Sequence, residues 1–494
     1  MKNMSYILLL FLICISAALV SIRESNIGIF LFCIFFYFLG IGFLKIHSPR
    51  SKNQIFVFKI FTIAYVIYVL NAIFIFYMFI YYYKIPFFGL DDFEYHKWGK
   101  IFQNYINLGN FDALFNAFID KPGYEPAYYY VNGFLYWLAD LVGEDHPLIV
   151  RFFNCLSGAL IPPFLYMIAI RIYNTKIAKT ASYLCLFFPQ VLYYSGIQHK
   201  EIIIAILVLL LIYYSITYVE NKKLRYFFFV LVLLKVLMYL RHFYSLVLGS
   251  ILILYIILSI KNISVKTFVP RIIILSIILY IFFVYFPLSI NTNVNLLKLI
   301  DYRIKGAMHH SYGQFEGYLS SSLQMQFFKS LPNPFREVVF TGIMLISPYP
   351  PWYPFISSSI PIFGIYESLS GIYWLILVPF SIISIFQFFR KGEKDKIFLT
   401  SIFFIIIFGV GITYGVTRYR LSAMPIGILL STSSYFKYKY NKTIWLCYMF
   451  FHILLLSSYL FMKYRFIPFK GILFVFIIIT ITILLSKIFV KISK

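Results

Sequence analysis

Asp91, Asp92 and Glu94 lie in one short stretch, Gly89-Leu90-Asp91-Asp92-Phe93-Glu94-Tyr95-His96, just beyond a long apolar run. Carboxylates are scarce in this 494-residue chain, with 18 Asp and Glu against 43 Lys and Arg. A positioned carboxylate can take a proton from a hydroxyl. A transfer that leaves a phosphate behind also needs cations on the departing group. Lys200, Arg241, Arg418 and Arg420 are expected on the same side of the chain as Asp91 and Asp92, and Arg suits bidentate phosphate contacts. Asp91 or Asp92 as base, with these cations on a phosphate, would suit transfer of a sugar from a lipid phosphate to a hydroxyl.

Each position also has a plainer role. Asp91 and Glu94 can form an approximate capping box at the start of a helix. That helix would run to about Leu108 and stop at Gly109, with Asp92 and His96 four apart on one face. Any one of the cations can be an interfacial side chain reaching lipid headgroups. Asp92, Glu94 and His96 are also an oxygen-rich candidate set for a divalent cation, magnesium or manganese. No cofactor is otherwise implied, and His309-His310 is a weaker metal signal.

The elements that must carry these residues are membrane helices. A chain that is 61% hydrophobic and 12% charged is not a soluble globule. Its apolar runs of about 15–25 residues match the length of a membrane-crossing helix. Backbone groups in lipid must be satisfied internally, which makes the spans helical. The net charge of +25 comes from Lys and Arg in short turns, nearly all on one side as the positive-inside bias requires, so no nucleic-acid partner is implied; the last outer turn, with Lys463, Arg465 and Lys470, is an exception. Cys14, Cys33, Cys155, Cys185 and Cys447 all fall within expected spans and form no C-x-x-C pair, so they read as buried apolar residues.

The chain divides at 1–83, N-terminal spans, and 84–147, a first extracytoplasmic segment. Residues 148–287 are a core of spans, 288–369 a second extracytoplasmic segment, and 370–494 C-terminal spans. The first apolar run, about Tyr6 to Val20, is taken as an uncleaved span because another follows at about Ile27 to Leu44. The turn with Lys45, Arg50, Lys52 and Lys59 is then cytoplasmic, and a third span, about Ile60 to Tyr83, delivers Asp91 and Asp92 outside. Later spans are expected at about 148–170, 180–194, 202–219, 226–240, 244–260, 272–287, 372–389, 397–413 and 421–435, with a final hairpin. Pro162-Pro163 is the one clear mid-span break. The expectation is an all-α, multi-pass integral membrane protein of about 14 transmembrane helices, both termini in the cytoplasm. In the second segment, Arg336 to Ile346 reads as an interfacial helix, with Tyr349, Trp352 and Tyr353 at headgroup level.

The stretch Leu90 to Tyr95 resembles the acidic motif in the first outer loop of polytopic GT-C fold glycosyltransferases. Gly123-Tyr124-Glu125-Pro126-Ala127-Tyr128-Tyr129 resembles their Pro- and Tyr-containing stretch before the next span. Arg151 to Leu160, with Tyr166 and Arg171 to Ala181, is similar to the following helical hairpin. Phe188-Pro189, Tyr194-Ser195 and Lys200-Glu201 fit the next exit, although Lys200-Glu201 stands where Ser-Glu is commoner. Arg241 and Thr417 to Pro425 complete the likeness, which is nearest to the protein-mannosyltransferase-like family 39 branch. Two spans precede the acidic segment beyond what that branch would give.

The resemblance implies an inverting glycosyltransferase, hexosyl or pentosyl, that uses a polyprenyl-phosphate-linked sugar donor. A first-loop Asp, Asp91 or Asp92, would be the base. Glu94, Tyr95, His96, Glu125, Lys200, Glu201, Arg241, Arg418 and Arg420 would bind substrate. The acceptor would be an envelope glycan, a lipid or a protein, among membrane lipids, at the extracytoplasmic face of the cell (inner) membrane. The rival readings are a polysaccharide repeat-unit polymerase or ligase, and a transporter. A transporter would carry charges at mid-membrane and paired broken helices, whereas charges here cluster at span ends. Sugar, acceptor and metal requirement depend on pocket shape and are not legible in the sequence.

Overall fold

Helices follow one another along the chain because long apolar runs in lipid must close their hydrogen bonds within the segment. A computed structural model describes residues 2–48, 52–87, 89–116, 126–259, 361–391, 393–413 and 417–438, with scattered residues from 441 to 452. Among the described residues every regular element is helical. The helices are α1 (Lys2–Arg23), α2 (Ile27–His47), α3 (Lys52–Tyr83), α4 (Gly89–Asn107), α5 (Phe111–Asn116) and α6 (Ala127–Asp140). They continue as α7 (Pro147–Ile172), α8 (Thr175–Leu186), α9 (Pro189–Ser195), α10 (Glu201–Asn221), α11 (Leu224–Leu240) and α12 (His242–Leu258). After the undescribed stretch come α13 (Pro361–Lys391), α14 (Lys394–Thr413), a 3-10 turn at Thr417–Ser422 and α15 (Met424–Tyr438).

Among these, five segments are long and apolar enough to cross a membrane: Ile27–His47, Asn53–Tyr83, Pro147–Ile172, Glu201–Asn221 and Ile362–Ile385. The protein is therefore an all-α, polytopic membrane protein. The expected second extracytoplasmic segment, including Arg336 to Ile346 and His309-His310, lies almost wholly outside the described residues, as do the 272–287 span and the last hairpin.

Three expectations need correcting. The single span expected at 180–194 is two short helices, α8 and α9, broken at Phe188-Pro189. Proline cannot donate a backbone hydrogen bond and disfavours helical backbone in the residue before it, and Phe188 is extended. Tyr68 donates to the freed Leu186 carbonyl at 2.9 Å, and Asn71 of α3 donates to the Leu192 carbonyl at 2.9 Å. Conversely, Pro162-Pro163 does not break its helix, since α7 runs through both. Membrane helices tolerate internal proline where neighbours enclose the freed groups, and α7 is buried from Leu148 to Ala169 except at Phe153. Finally, α13 begins at Pro361, ahead of the expected start near Ile372.

Two compact units divide the chain: residues 1–300 with 421–425, and residues 301–420 with 426–494. In the first, α7 is the central element, with α2, α3, α8, α9 and α10 packed on it. The polar α4 packs on α6 at close range. A Cβ on Gly133 would stand 2.6 Å from Phe102 Cβ and 3.1 Å from the Gly99 carbonyl oxygen. Asn132 donates to the Tyr95 carbonyl at 3.2 Å, and Gln103 donates to Asp140. In the second unit, Trp374 is fully buried and a Cβ on Gly427 would stand 2.5 Å from its ring. Ser384 and Ser433 hydrogen-bond at 3.0 Å, the small-residue, hydroxyl-bearing contact typical of membrane helix pairs.

Candidate active site

The acidic stretch forms the first turn of α4, which starts at Gly89. Asp91 and Asp92 are therefore inside the helix, two and three residues past its start, and the approximate capping box is replaced by two carboxylates at a helix N-terminus, where the dipole favours negative charge. The far end matches expectation: α4 stops at Asn107, and Gly109 takes φ +65, the left-handed conformation that glycine adopts without penalty.

Adjacent residues on a helix point in different directions, and here that separates the two aspartates. Asp92 is fully buried. Its Oδ2 is 3.6 Å from Arg151 Nη2, also fully buried, and its Oδ1 accepts the Gln198 backbone N–H at 3.0 Å. Arg151 comes from α7 and also donates to the Pro86 carbonyl. Asp91 keeps 45% of its side chain exposed, and its Oδ2 lies 3.6 Å from His199 Nε2.

The turn between α9 and α10, residues 196–200, holds this arrangement together. Asn154 of α7 donates to the Ile197 carbonyl at 2.6 Å, to the His199 carbonyl at 3.2 Å and to the Tyr128 hydroxyl at 2.9 Å. The Gln198 amide donates to the Tyr136 hydroxyl and to the Pro147 carbonyl, at 2.7 and 3.2 Å. With Gln198 donating to its oxygen, the Tyr136 hydroxyl gives its own hydrogen to His96 Nδ1, 2.7 Å away. Burial, reinforced by the positive charges of Lys100, Arg151 and His146, pushes the His96 imidazole down to about 4. His96 is thus neutral at neutral pH and belongs to the supporting network.

The other expected residues are distributed as follows. The Tyr95 ring is buried against Tyr128, Tyr129 and His199. Glu94 is half-buried on α4. Lys200 is buried immediately before α10. Glu201, in the first turn of α10, pairs with Arg241 at the end of α11, Oε1 to Nη2 2.5 Å, and both are buried. Arg418 and Arg420 lie on the 3-10 turn, Arg420 fully buried. Arg420 is the last residue of a segment assigned to the second unit. Glu125 lies outside the described residues. Among the described residues no three His, Cys, Asp or Glu side chains are grouped to hold a metal ion, so Asp92, Glu94 and His96 do not form the oxygen-rich set. Asp92 faces Arg151 and Gln198, and His96 faces Tyr136.

The partners that build this network, Arg151, Asn154, Tyr128, Tyr136, Gln198 and His199, were not among the candidate residues. Only Arg151 left a signal of its own, a charge within an otherwise apolar helix, which in membrane segments marks a site by default.

Residues 124–287 match the family model of dolichyl-phosphate-mannose-protein mannosyltransferase. The resemblance to GT-C membrane glycosyltransferases holds over this region. It includes α6 to α12, and with them Arg151, the 196–200 turn, Glu201 and Arg241. No curated protein matches the chain. Among solved structures, the archaeal oligosaccharyltransferase AglB from Archaeoglobus fulgidus, in complex with an inhibitory peptide and a dolichol-phosphate, is 12% identical with TM-score 0.48. That match covers 89% of this chain and 56% of the other. An apo form of the Archaeoglobus fulgidus oligosaccharyltransferase is 12% identical with TM-score 0.46, over 88% and 56% of the two chains. The chain spans a little over half the length of these structures.

Proposed function

We propose that this glycosyltransferase-related membrane protein moves a sugar from a polyprenyl-phosphate donor to a hydroxyl acceptor at the extracytoplasmic face, with Asp91 as the base. The observation that carries the choice of residue is the division between the aspartates: Asp92 is sealed against Arg151 and Gln198, whereas Asp91 is half exposed at a helix start. A general base must reach the proton it removes, and only Asp91 meets a substrate without dismantling the core. The acceptor hydroxyl loses its proton to Asp91 as its oxygen attacks the anomeric carbon. The bond to the phosphate oxygen breaks on the opposite side, inverting the centre, and the lipid phosphate leaves with the electron pair. Lys200, next to His199 in the turn that faces Asp91, is the cation of the first unit assigned to that phosphate. The donor class follows the matched family's description.

The test is complementation of a strain lacking the protein. Wild type should restore the lost sugar, and Asp91→Asn should not, at equal expression. Restoration by Asp91→Asn would remove the base. Loss of long chains with accumulation of single repeat units would replace monosaccharide transfer by polymerisation.

A further inference from the structure

His199 has no part in the chemistry above, yet its ring approaches the Asp91 carboxylate from the turn between α9 and α10. Its ring is almost wholly buried and held edge-on between Tyr95 and Tyr194, with centroids 5.6 and 5.3 Å away. Its backbone is fixed through Asn154, and its neighbour Gln198 is fixed through Asp92. Nδ1 faces the Glu201 backbone N–H at 3.5 Å, and Nε2 faces Asp91 Oδ2 at 3.6 Å. With Nδ1 accepting from a backbone donor, the ring proton sits on Nε2 and is directed at the carboxylate.

We propose that His199 is a positioning residue for Asp91: a rigid N–H donor that fixes the direction in which the half-exposed carboxylate meets the acceptor hydroxyl. It rests on the assignment of Asp91 as base. A half-exposed aspartate can sample several rotamers, and a buried donor held edge-on between two tyrosine rings selects one of them. A misplacement of about 1 Å at a reacting group costs about 100-fold in rate, so the effect reaches catalysis without His199 touching substrate. The division of labour also explains the adjacent carboxylates: Asp92 holds the turn, the turn holds His199, and His199 holds Asp91.

The experiment uses the full-length protein in the null strain, with expression matched. The readout is the initial rate at which induced cells restore the missing sugar from a pulse of labelled precursor. His199→Phe and His199→Met fill the space without a donor, and His199→Gln keeps an N–H of similar reach. The expected result is a fall of about 10- to 100-fold for Phe and Met, recovery to within about 3-fold for Gln, and unchanged thermal midpoints of the purified variants. If Phe alone proves unstable, Met decides. Equal loss in Gln and Met would show that only the imidazole's shape matters and overturn the proposal. Wild-type rates in Met would overturn it too, while an inactive Asp91→Asn in the same series keeps the base assignment intact. An active Asp91→Asn would overturn the base assignment itself, and His199 with it.

Discussion

At the scale of single residues, the Asp92–Arg151 pair is the strongest constraint on the site. Both charges are withdrawn from solvent, so each stabilises the fold only while the other is present. Removing one partner of such a pair typically costs about 3–5 kcal/mol, and replacing both costs much less. Arg151→Met should therefore lower the thermal midpoint sharply. Adding Asp92→Asn, which keeps an acceptor for the Gln198 N–H, should restore part of it; an additive double variant would show that the two are uncoupled. His96 gives a second handle. Its imidazole ordinarily titrates near 6.5 and is pushed down to about 4, so between these values the unfolded chain binds more protons than the folded one. Its contribution is complete above pH 6.5 and is lost as the pH falls toward 4. The same direction holds for His146, pushed down to about 4 chiefly by burial, with the nearby Glu24 acting against the shift. The thermal midpoint in detergent should drop from pH 7 to pH 4.5, and a flat profile would contradict the buried, neutral assignment. The acidic cluster was legible in the sequence because carboxylates are rare there. The difference between its two members was not, because it depends on which of two neighbouring directions meets an arginine supplied by a distant helix.

At the scale of elements, the site depends on two close approaches. The α4–α6 contact runs through Gly99 and Gly133, and a side chain on Gly133 meets Phe102 Cβ and α4 backbone atoms, none of which is the mobile end of a side chain. Gly133→Val should displace α4, reducing sugar transfer and stability together, whereas Ala or Val at the open Gly42 should leave both near wild type. A fully active Gly133→Val would contradict the packing. The second approach is that of α3 to the short helices α8 and α9: Tyr68 meets the Leu186 carbonyl at their break, and Asn71 the Leu192 carbonyl near the end of α9. Hydrophobicity alone reads 180–194 as one span, because Phe188-Pro189 hardly lowers a window average. The break becomes legible only when the missing N–H of proline is set above composition. The opposite error at Pro162-Pro163 has the same root: whether proline interrupts a helix depends on what encloses the freed groups, and a local sequence pattern does not contain that.

At the scale of the whole molecule, hydropathy and the family resemblance announced an all-α, polytopic membrane protein related to GT-C glycosyltransferases. The family match covers residues 124–287, while the acidic stretch lies just ahead of it. Its link to the family region is physical, through Arg151, Gln198 and His199. An extracytoplasmic site predicts sidedness. With Cys14 and Cys447 replaced by Ser, and Cys33, Cys155 and Cys185 buried, Leu108→Cys should react with an impermeant maleimide in intact cells and Asn221→Cys only after permeabilisation. The reverse pattern would place the site in the cytoplasm. The most direct test of sugar transfer from a lipid phosphate is mass spectrometry of the polyprenyl-phosphate pool in the null strain carrying wild type or Asp91→Asn. A donor left unused by Asp91→Asn should accumulate as polyprenyl-phosphate monosaccharide, while the acceptor lacks that one sugar. An unchanged monosaccharide pool beside accumulated whole repeat units would contradict it.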